Sequence, residues 1–181
     1  MLVRTDGASG SNQAARMAAI VIAVVGAATI LGAYFFQFVV GLAPCPLCLG
    51  QRIPYHVGIP LAALVAIAAA RQAPRPWLIA GFAALALVML IGAGLGVYHS
   101  GVEWHFWQGP QDCSGGTPNF GARGGVLDKL NNARVVRCDE APWRLFGLSL
   151  AGYNVLIALA LAAVAVWGMR AVARTRIANS E

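Results

Sequence analysis

The chain has 181 residues, of which 59% are hydrophobic and only 11% are charged, a composition too apolar for an ordinary soluble domain. Its formal charge of +6 could favour nucleic acid, but the charges stand between apolar runs and at the chain end rather than along one amphipathic face. Composition therefore argues against nucleic-acid binding and favours a single helical bundle in a membrane.

Four apolar runs without any Asp, Glu, Lys or Arg follow residues 1–13, a polar segment that we interpret as a disordered tail. The runs cover about residues 17–40, 53–70, 77–98 and 148–169. About 20 helical residues cross a hydrocarbon core of roughly 30 Å, and backbone polar groups in lipid must be bonded within the segment. We therefore predict one all-α domain, a four-helix transmembrane bundle over residues 1–181. The first run is too long for the apolar core of a cleaved signal peptide.

The basic residues of the short connections predict the orientation of the bundle. They are Arg4 and Arg16 before the first span, Arg71 and Arg75 between the second and third, and Arg170, Arg174 and Arg176 after the fourth. Such residues favour the cytoplasmic side, so we predict cytoplasmic tails at residues 1–16 and 170–181. Loops 41–51 and 99–147 then face the opposite side and carry all four cysteines.

The long loop contains a second, shorter helical pattern at residues 126–136, with Val126, Leu127, Leu130 and Ala133 on one side. Such a segment can lie in the membrane interface or pack on the ends of the bundle, and both interpretations stay open. Trp and Phe residues flank the loop, which is typical of an interfacial aromatic belt.

The strongest local motif is Cys45-Pro46-Leu47-Cys48. Two residues between cysteines allow a reversible disulfide, and Pro46 suits a first helical turn because its missing N–H would be unpaired there. A helix N-terminus stabilises a thiolate, the reactive form of cysteine. The motif could instead be half of a zinc site, but Cys113 and Cys138, which are 138 − 113 = 25 positions apart, do not supply the second half. We therefore predict a redox pair and no metal.

Arg52 follows Cys48 by four positions, which places both on one face of a helix near the membrane boundary. There the guanidinium could lower the pKa of Cys48 and bond a carbonyl ligand, or it could reach toward lipid headgroups. His99 lies near another boundary, where a proton-transfer role and a purely structural polar role both stay open. Such a functional role is less favoured for His56 and His105.

Cys113 and Cys138 can close a loop over a Gly-rich segment. In a non-cytoplasmic loop the usual case is a static structural disulfide, whereas a labile disulfide would exchange with a partner. The sequence around Cys113, with Asp112 before it and Ser114-Gly115-Gly116 after it, favours access to the sulfur.

Together these residues resemble the disulfide bond formation protein B (DsbB) family, bacterial inner-membrane thiol:quinone oxidoreductases. The matching segments are residues 45–52 with Pro54 and Tyr55, residues 94–99, Cys113 with its turn, Cys138, Trp143 and residues 146–148. The resemblance extends over about residues 32–167, and the order of spans and cysteines carries it.

The resemblance implies a catalytic relay from a periplasmic DsbA-like thiol oxidase to a membrane quinone, ubiquinone or menaquinone. Cys113 would form the mixed disulfide with that partner, and Cys138 would then attack Cys45. Cys48 would be left as a thiolate against the quinone, stabilised by Arg52.

The same resemblance implies that His99 is a weaker candidate for a quinone contact. It also implies a location in the bacterial inner membrane, with the cysteine-bearing loops in the periplasm. A non-catalytic membrane scaffold with two structural disulfides is the alternative function.

Overall fold

The structure, a computed structural model, describes residues 6–110 and 137–174 of the chain. The helices of this part are α1 (Asp6–Phe38), α2 (Pro46–Ala70), α3 (Arg75–Glu103) and α4 (Leu150–Arg174). Each is long and apolar enough to cross a membrane, so the predicted four long apolar helices are confirmed. The predicted short helix at residues 126–136 lies outside the described residues.

The four helices form a closed ring in which α1 and α3 each pack on both α2 and α4. Small residues bring the backbones together. A Cβ atom added to Gly168 would stand 2.7 Å from the Phe82 ring and 2.9 Å from Ala18, and one added to Gly81 would stand 2.6 Å from Val65. We call the part around Gly81 and Gly168 the small-residue end of the bundle. Close van der Waals contact holds it together.

Each of the four helices extends beyond its predicted apolar run at one end or both; α2 begins at Pro46, inside the predicted loop 41–51, and α4 continues to Arg174, inside the predicted tail 170–181. α1 begins at Asp6, so the prediction of a disordered tail was wrong from that residue onward. An existing helix gains one hydrogen bond for each residue added to its end, which favours such extension. α3 continues past residue 98 to Glu103, so His99 lies on a helix instead of in the loop to which the sequence assigned it.

A two-stranded antiparallel hairpin precedes α4 and was not expected from the sequence. Its strands are β1 (Arg144–Leu145) and β2 (Leu148–Ser149). The turn residues Phe146 and Gly147 have φ angles of 50° and 81°, the left-handed region that tight two-residue hairpins require. The hairpin delivers Ser149 to the start of α4, where the residue is buried.

Candidate functional site

Cys45 and Cys48 flank the first turn of α2, at what we call the cysteine end of the bundle. Cys45 is the N-cap residue, with φ of −77° and ψ of 166°, and Pro46 occupies the first turn. The Cys48 N–H donates to Cys45 Sγ at 3.2 Å, so the sulfur takes the place of the usual Ser or Asp oxygen. The helix therefore directs both a hydrogen bond and the positive end of its dipole at this sulfur.

The two sulfurs lie within bonding reach of each other. Cys45 Sγ and Cys48 Sγ are 2.7 Å apart, and both cysteines are free. A ring nitrogen of His99 lies within 4.8 Å of both sulfurs, so the three residues are candidate ligands of a metal ion. Two thiolates on one tetrahedral zinc ion, however, stand roughly 3.8 Å apart. The separation of the sulfurs is closer to a disulfide bond of about 2.05 Å, and it suits a pair that alternates between dithiol and disulfide.

His99 of α3 approaches the Cys45 sulfur from a second direction. Its Nε2 lies 3.6 Å from Cys45 Sγ, and the residue is only 3% exposed. Hydrogen bonding by the Cys48 thiol, with smaller contributions from His99 and the Cys48 N–H, outweighs burial and lowers the pKa of the Cys45 thiol to about 4. In the reduced pair the negative charge therefore belongs to Cys45.

A chain of hydrogen-bonded side chains fixes which ring nitrogen of His99 carries the proton. Tyr55 donates its hydroxyl to Asn154 Oδ1 at 2.7 Å, and Asn154 Nδ2 donates to Gln51 Oε1 at 2.7 Å. Gln51 Nε2 in turn donates to His99 Nδ1 at 2.5 Å. Because Nδ1 accepts, the proton of neutral His99 sits on Nε2, the atom that faces Cys45. The chain also links α2, α3 and α4.

Glu103 places a carboxyl group one helical turn from His99. Its Oε1 lies 3.8 Å from His99 Nε2, and its side chain is only 3% exposed. Ser149 donates its hydroxyl to the other carboxyl oxygen and accepts from the Gly152 N–H at 3.2 Å. An ionisable residue buried among membrane-spanning helices is costly and usually functional, so Glu103 belongs to the candidate site.

Cys138 packs against the pair from the side of the long loop. It is only 1% exposed and forms one apolar cluster with Cys45 and Val102. Cys138 is disulfide-bonded, in contrast to the free pair. Cys113, the remaining predicted site cysteine, lies outside the described residues. The structure therefore brings together three of the four cysteines that the sequence singled out.

Arg52 turns toward α1. Its Nη1 donates to Gln37 Oε1 at 2.6 Å, and its guanidinium carbon lies 5.2 Å from the centre of the Tyr34 ring, a cation–π distance. The predicted support of a Cys48 thiolate by Arg52 has no counterpart among these described contacts. α1 instead holds the guanidinium at the wall of the cavity beside the cysteines.

This cavity has a volume of about 300 Å³ and opens between α1, α2 and α4. Its polar groups include those of Cys45, Cys48, His99, Glu103 and Arg52. Its apolar walls include Ile30, Phe36, Leu150 and Ile157. A mostly apolar space with a few polar groups grouped together has the character of a small-molecule site.

The other two histidines lie outside the cavity wall, so of the three only His99 contributes to it. Sequence reasoning did not find Glu103, Asn154 or Ser149. The spacing of four residues between His99 and Glu103 was a usable signal, because such residues share a helix face. The single amide inside the last apolar run was the corresponding signal for Asn154, since a polar residue in a span needs a partner.

Comparison with known proteins gives consistent results along most of the chain. The family model described as Disulfide bond formation protein DsbB matches residues 15–168. Proteins named Disulfide bond formation protein B are similar to this chain. They include those of Verminephrobacter eiseniae, 30% identical over 75% of this chain and 77% of the relative, and Saccharophagus degradans, 31% identical over 86% and 93%. The protein of Methylococcus capsulatus is 32% identical over 76% and 83%.

No solved structure matches the chain. The segment matched by the family model contains all four cysteines and every described residue of the site. A free cysteine pair at a helix start, next to a third cysteine already in a disulfide, is the kind of arrangement that disulfide exchange requires. The chain is therefore a member of the DsbB family, a multi-pass membrane protein and a disulfide-forming oxidoreductase.

Proposed function

We propose that this protein reoxidises a periplasmic DsbA-like thiol oxidase and passes the electrons to a membrane quinone. The cavity beside Cys45 and Cys48 is the observation that carries the proposal, because it joins a thiol pair to an apolar space within the helical bundle. A thiolate is the reactive form of cysteine, and Cys45 is well suited to be one at neutral pH. A lipid-soluble oxidant is the acceptor that can reach it there.

The residues of the cavity fit a quinone. A volume of about 300 Å³ lies at the lower end of the range for small-molecule sites and is suited to a single ring. Apolar side chains of α1 and α4 would contact the ring and its tail, and Arg52 supplies N–H donors for a carbonyl oxygen. When bound, a quinone would supply a two-electron acceptor, a property that ubiquinone and menaquinone share.

The loop cysteines would connect this pair to the protein partner. We propose that Cys113 forms the mixed disulfide with the DsbA-like oxidase and that Cys138, once released, attacks Cys45. The packing of Cys138 beside Cys45 supports the second step, because the two sulfur-bearing residues already share one cluster. A DsbA-type oxidase has a potential of about −120 mV, so only a comparably strong oxidant can recharge it.

Two different thiolates would alternate within this relay. In the free reduced pair the charge belongs to Cys45, because the Cys48 thiol and the start of α2 both stabilise it. When Cys138 bonds to Cys45, Cys48 is the sulfur set free. Return of Cys113 to Cys138 would then release Cys45, and the reduced pair would give up two electrons as its own disulfide forms. Arg52 would act on the quinone more than on Cys48, since its guanidinium is held against α1.

We also propose an orientation of the chain in the membrane, based on the positions of its arginines. Arginines lie before and in the first part of α1, at the turn from α2 to α3 and beyond the apolar part of α4, which favours a cytoplasmic location for these segments. Both termini would then be cytoplasmic, the cysteine end would face the periplasm, and the membrane would be the bacterial inner membrane. The periplasm is also the oxidising side of that membrane, where disulfides persist.

A scaffold with two structural disulfides is the competing function, and it accounts less well for the site. Cys45 and Cys48 are free and adjacent, whereas a structural disulfide needs no ionisable neighbours. The scaffold also gives no reason to bury His99 and Glu103 together beside a sulfur at a cost in solvation.

The test is to mix the purified protein with a reduced DsbA-like oxidase and a soluble quinone analogue and to follow quinone absorbance. We expect multiple turnovers, and complete loss of turnover in Cys45→Ser and Cys48→Ser. The matched control is His56→Ala, on the same helix but outside the cavity, which should turn over normally. Sustained turnover by either cysteine variant would refute the relay.

A further inference from the structure

Reduction of a quinone consumes two protons as well as two electrons, and the relay proposed above names no source for the second proton. The reduced pair supplies one proton from the Cys48 thiol, but Cys45 is already a thiolate. Glu103 is the buried acid that the relay leaves unused, and it lies beside the same histidine that faces Cys45.

His99 has one proton to share between two acceptors. Its Nε2 lies 3.6 Å from Cys45 Sγ and 3.8 Å from Glu103 Oε1. Because Gln51 donates to the other ring nitrogen, neutral His99 offers a single N–H to these two groups. Each group also has a donor of its own, the Cys48 N–H for the sulfur and the Ser149 hydroxyl for the carboxyl group. Because two neighbouring buried anions repel each other strongly, the one N–H that both groups share favours a negative charge on only one of them at a time.

The cations at the cavity are engaged elsewhere in the part of the chain that the structure describes. Arg52 is held by α1, and Arg137 pairs with Asp139 at 2.8 Å and with Glu140 at 3.0 Å. The remaining titratable side chains of the cavity wall are Cys48, Tyr55, Tyr153 and Glu140. Glu103 therefore faces the thiol pair without a described arginine to compensate a second negative charge.

We propose that Glu103 holds the proton that Cys45 gives up, so that the cysteine end of the bundle carries one negative charge in both redox states. His99 is the positioning residue, whose N–H turns from the carboxylate in the oxidised protein to the thiolate in the reduced protein. The destination of the proton rests on the proposed function, whereas its location on Glu103 does not.

The charge balance closes over the whole cycle. When a dithiol reduces the Cys45–Cys48 bond, two electrons and two protons enter, and the products are the Cys45 thiolate, the Cys48 thiol and protonated Glu103. When the pair is oxidised, the sulfurs bond and lose two electrons, and one proton leaves Cys48 and one leaves Glu103. Both electrons and both protons would then be available to a quinone, whose reduction to quinol takes up two of each, and Glu103 would again be a carboxylate.

A constant charge has a physical advantage in this position. Adding a second charge to a buried site is costly in general, and every turnover would incur that cost if the thiolate formed beside an ionised Glu103. Moving one proton between two sites that share an N–H avoids it. The site can therefore store a reactive thiolate without a new counter-ion.

The inference is tested by counting the protons released when the protein is reduced without any quinone present. Full-length oxidised protein in detergent, lightly buffered near neutral pH, is mixed with a small dithiol. A pH indicator follows the medium, and ultraviolet absorbance follows the thiolate. We expect the wild type to form the thiolate with almost no net proton release, whereas Glu103→Gln should release about one proton per thiolate formed.

Asp139→Asn is the matched control. The Arg137 guanidinium lowers the pKa of that carboxyl, which lies outside the cavity wall, so it stays ionised in both states. In the variant Arg137 keeps its pair with Glu140, and we expect the wild-type result. Release of about one proton per thiolate by the wild type itself would overturn the inference. If Glu103→Gln does not fold, infrared difference spectra of the wild type decide the matter. A protonated-carboxyl band should appear on reduction, and its absence would also overturn the inference.

A second arm separates this inference from the proposed function. The reduced protein is mixed with a soluble quinone analogue, and proton uptake from the medium is counted for each quinone reduced. No quinone reduction by the wild type would refute the proposed function and leave the result on Glu103 standing. Reduction with uptake of about one proton from the medium per quinone would refute the inference and leave the function standing.

Discussion

Both ends of the helical bundle pack closely around glycines, but they differ in how far hydrogen bonds between side chains join the helices. At the small-residue end, Gly168 meets Phe82 and Ala18 at distances that leave no space for a further methyl group. At the cysteine end, the same helices meet through hydrogen bonds between side chains such as Gln51 and Asn154. Packing fixes the position of helices but cannot move a proton or bind a charge, so the contrast separates the part that holds the fold from the part that performs chemistry.

The polar contacts contribute less to stability than their number suggests. A hydrogen bond between helices in a membrane is worth about 0.6 kcal/mol on average, and each buried polar group has lost its water. Close packing around glycine and alanine is at least as effective in lipid. The residues of the cysteine end are therefore better explained by the state they impose on Cys45 and His99 than by the stability they add.

Among variants that test this contrast, His99→Ala at the cysteine end should have the largest effect, a loss of turnover. The change removes the N–H that faces the Cys45 sulfur, and loss of such a proton-transfer or charge-stabilising group lowers a rate by about 100-fold or more. Turnover with a quinone analogue measures it, and circular dichroism checks that the helices remain. His56→Ala is the control, and equal losses in both variants would show that His99 has only a structural role.

The next effect should appear at the small-residue end with Gly168→Ala. Its new Cβ would lie 2.7 Å from the Phe82 ring, and such overpacking costs about 1–3 kcal/mol in the free energy of unfolding. Denaturation in mixed detergent micelles measures it, with Gly94→Ala as the control because a Cβ there meets nothing within 4 Å. A shifted pKa of Cys45 with an unchanged free energy of unfolding would contradict the division between the two ends.

Arg52→Ala should have a smaller effect, confined to the cavity. Loss of one charged donor to a bound carbonyl group costs about 1.5 kcal/mol or slightly more, which corresponds to roughly a tenfold rise in the KM for the quinone analogue. The KM for the reduced protein partner should change little. Arg71→Ala, at the other end of α2, is the control. A parallel rise in both constants would mean that Arg52 only supports the helix.

The smallest effect should be that of Cys48→Ala on the pH dependence of Cys45 alkylation in the reduced protein. Because the pKa of Cys45 is lowered to about 4, its thiolate persists as pH falls from about 8 to 6, and the rate should stay nearly constant. The stabilisation is lost only as the pH falls toward 4. Cys48→Ala removes the largest cause of the lowered pKa, so alkylation of Cys45 in this variant should decline already as the pH falls through the neutral range. Site-resolved mass spectrometry gives both curves.

The sequence predicted the helices well because a membrane leaves few choices for an apolar run. It also singled out Cys45 and Cys48, which the structure brings together at the start of α2, since their spacing and Pro46 are local features. The last turn of α3 was harder to predict, because His99 and Glu103 read as loop residues when burial is unknown. Both point into the bundle, so polarity there marks the site and not the end of the helix.

The partners of the polar residues could not be predicted from local patterns. Gln51 and Asn154 are 103 positions apart in the chain, and only the closed ring of helices brings them together. The direction taken by Arg52 was equally hidden, because its contact Gln37 belongs to another apolar run. The hairpin at Phe146 and Gly147 depends on two left-handed residues, one of which is a bulky aromatic that seldom adopts this conformation.

The hairpin before α4 also limits how far Cys138 can travel. Six positions separate Cys138 from Arg144, the first residue of β1, and six extended residues span at most about 20 Å. The sulfur of Cys138 is thus confined to a small volume around the start of α2, even when its own disulfide is open. Such a tether keeps the local concentration of that thiol near Cys45 at about the millimolar level or above, whatever the amount of partner protein outside.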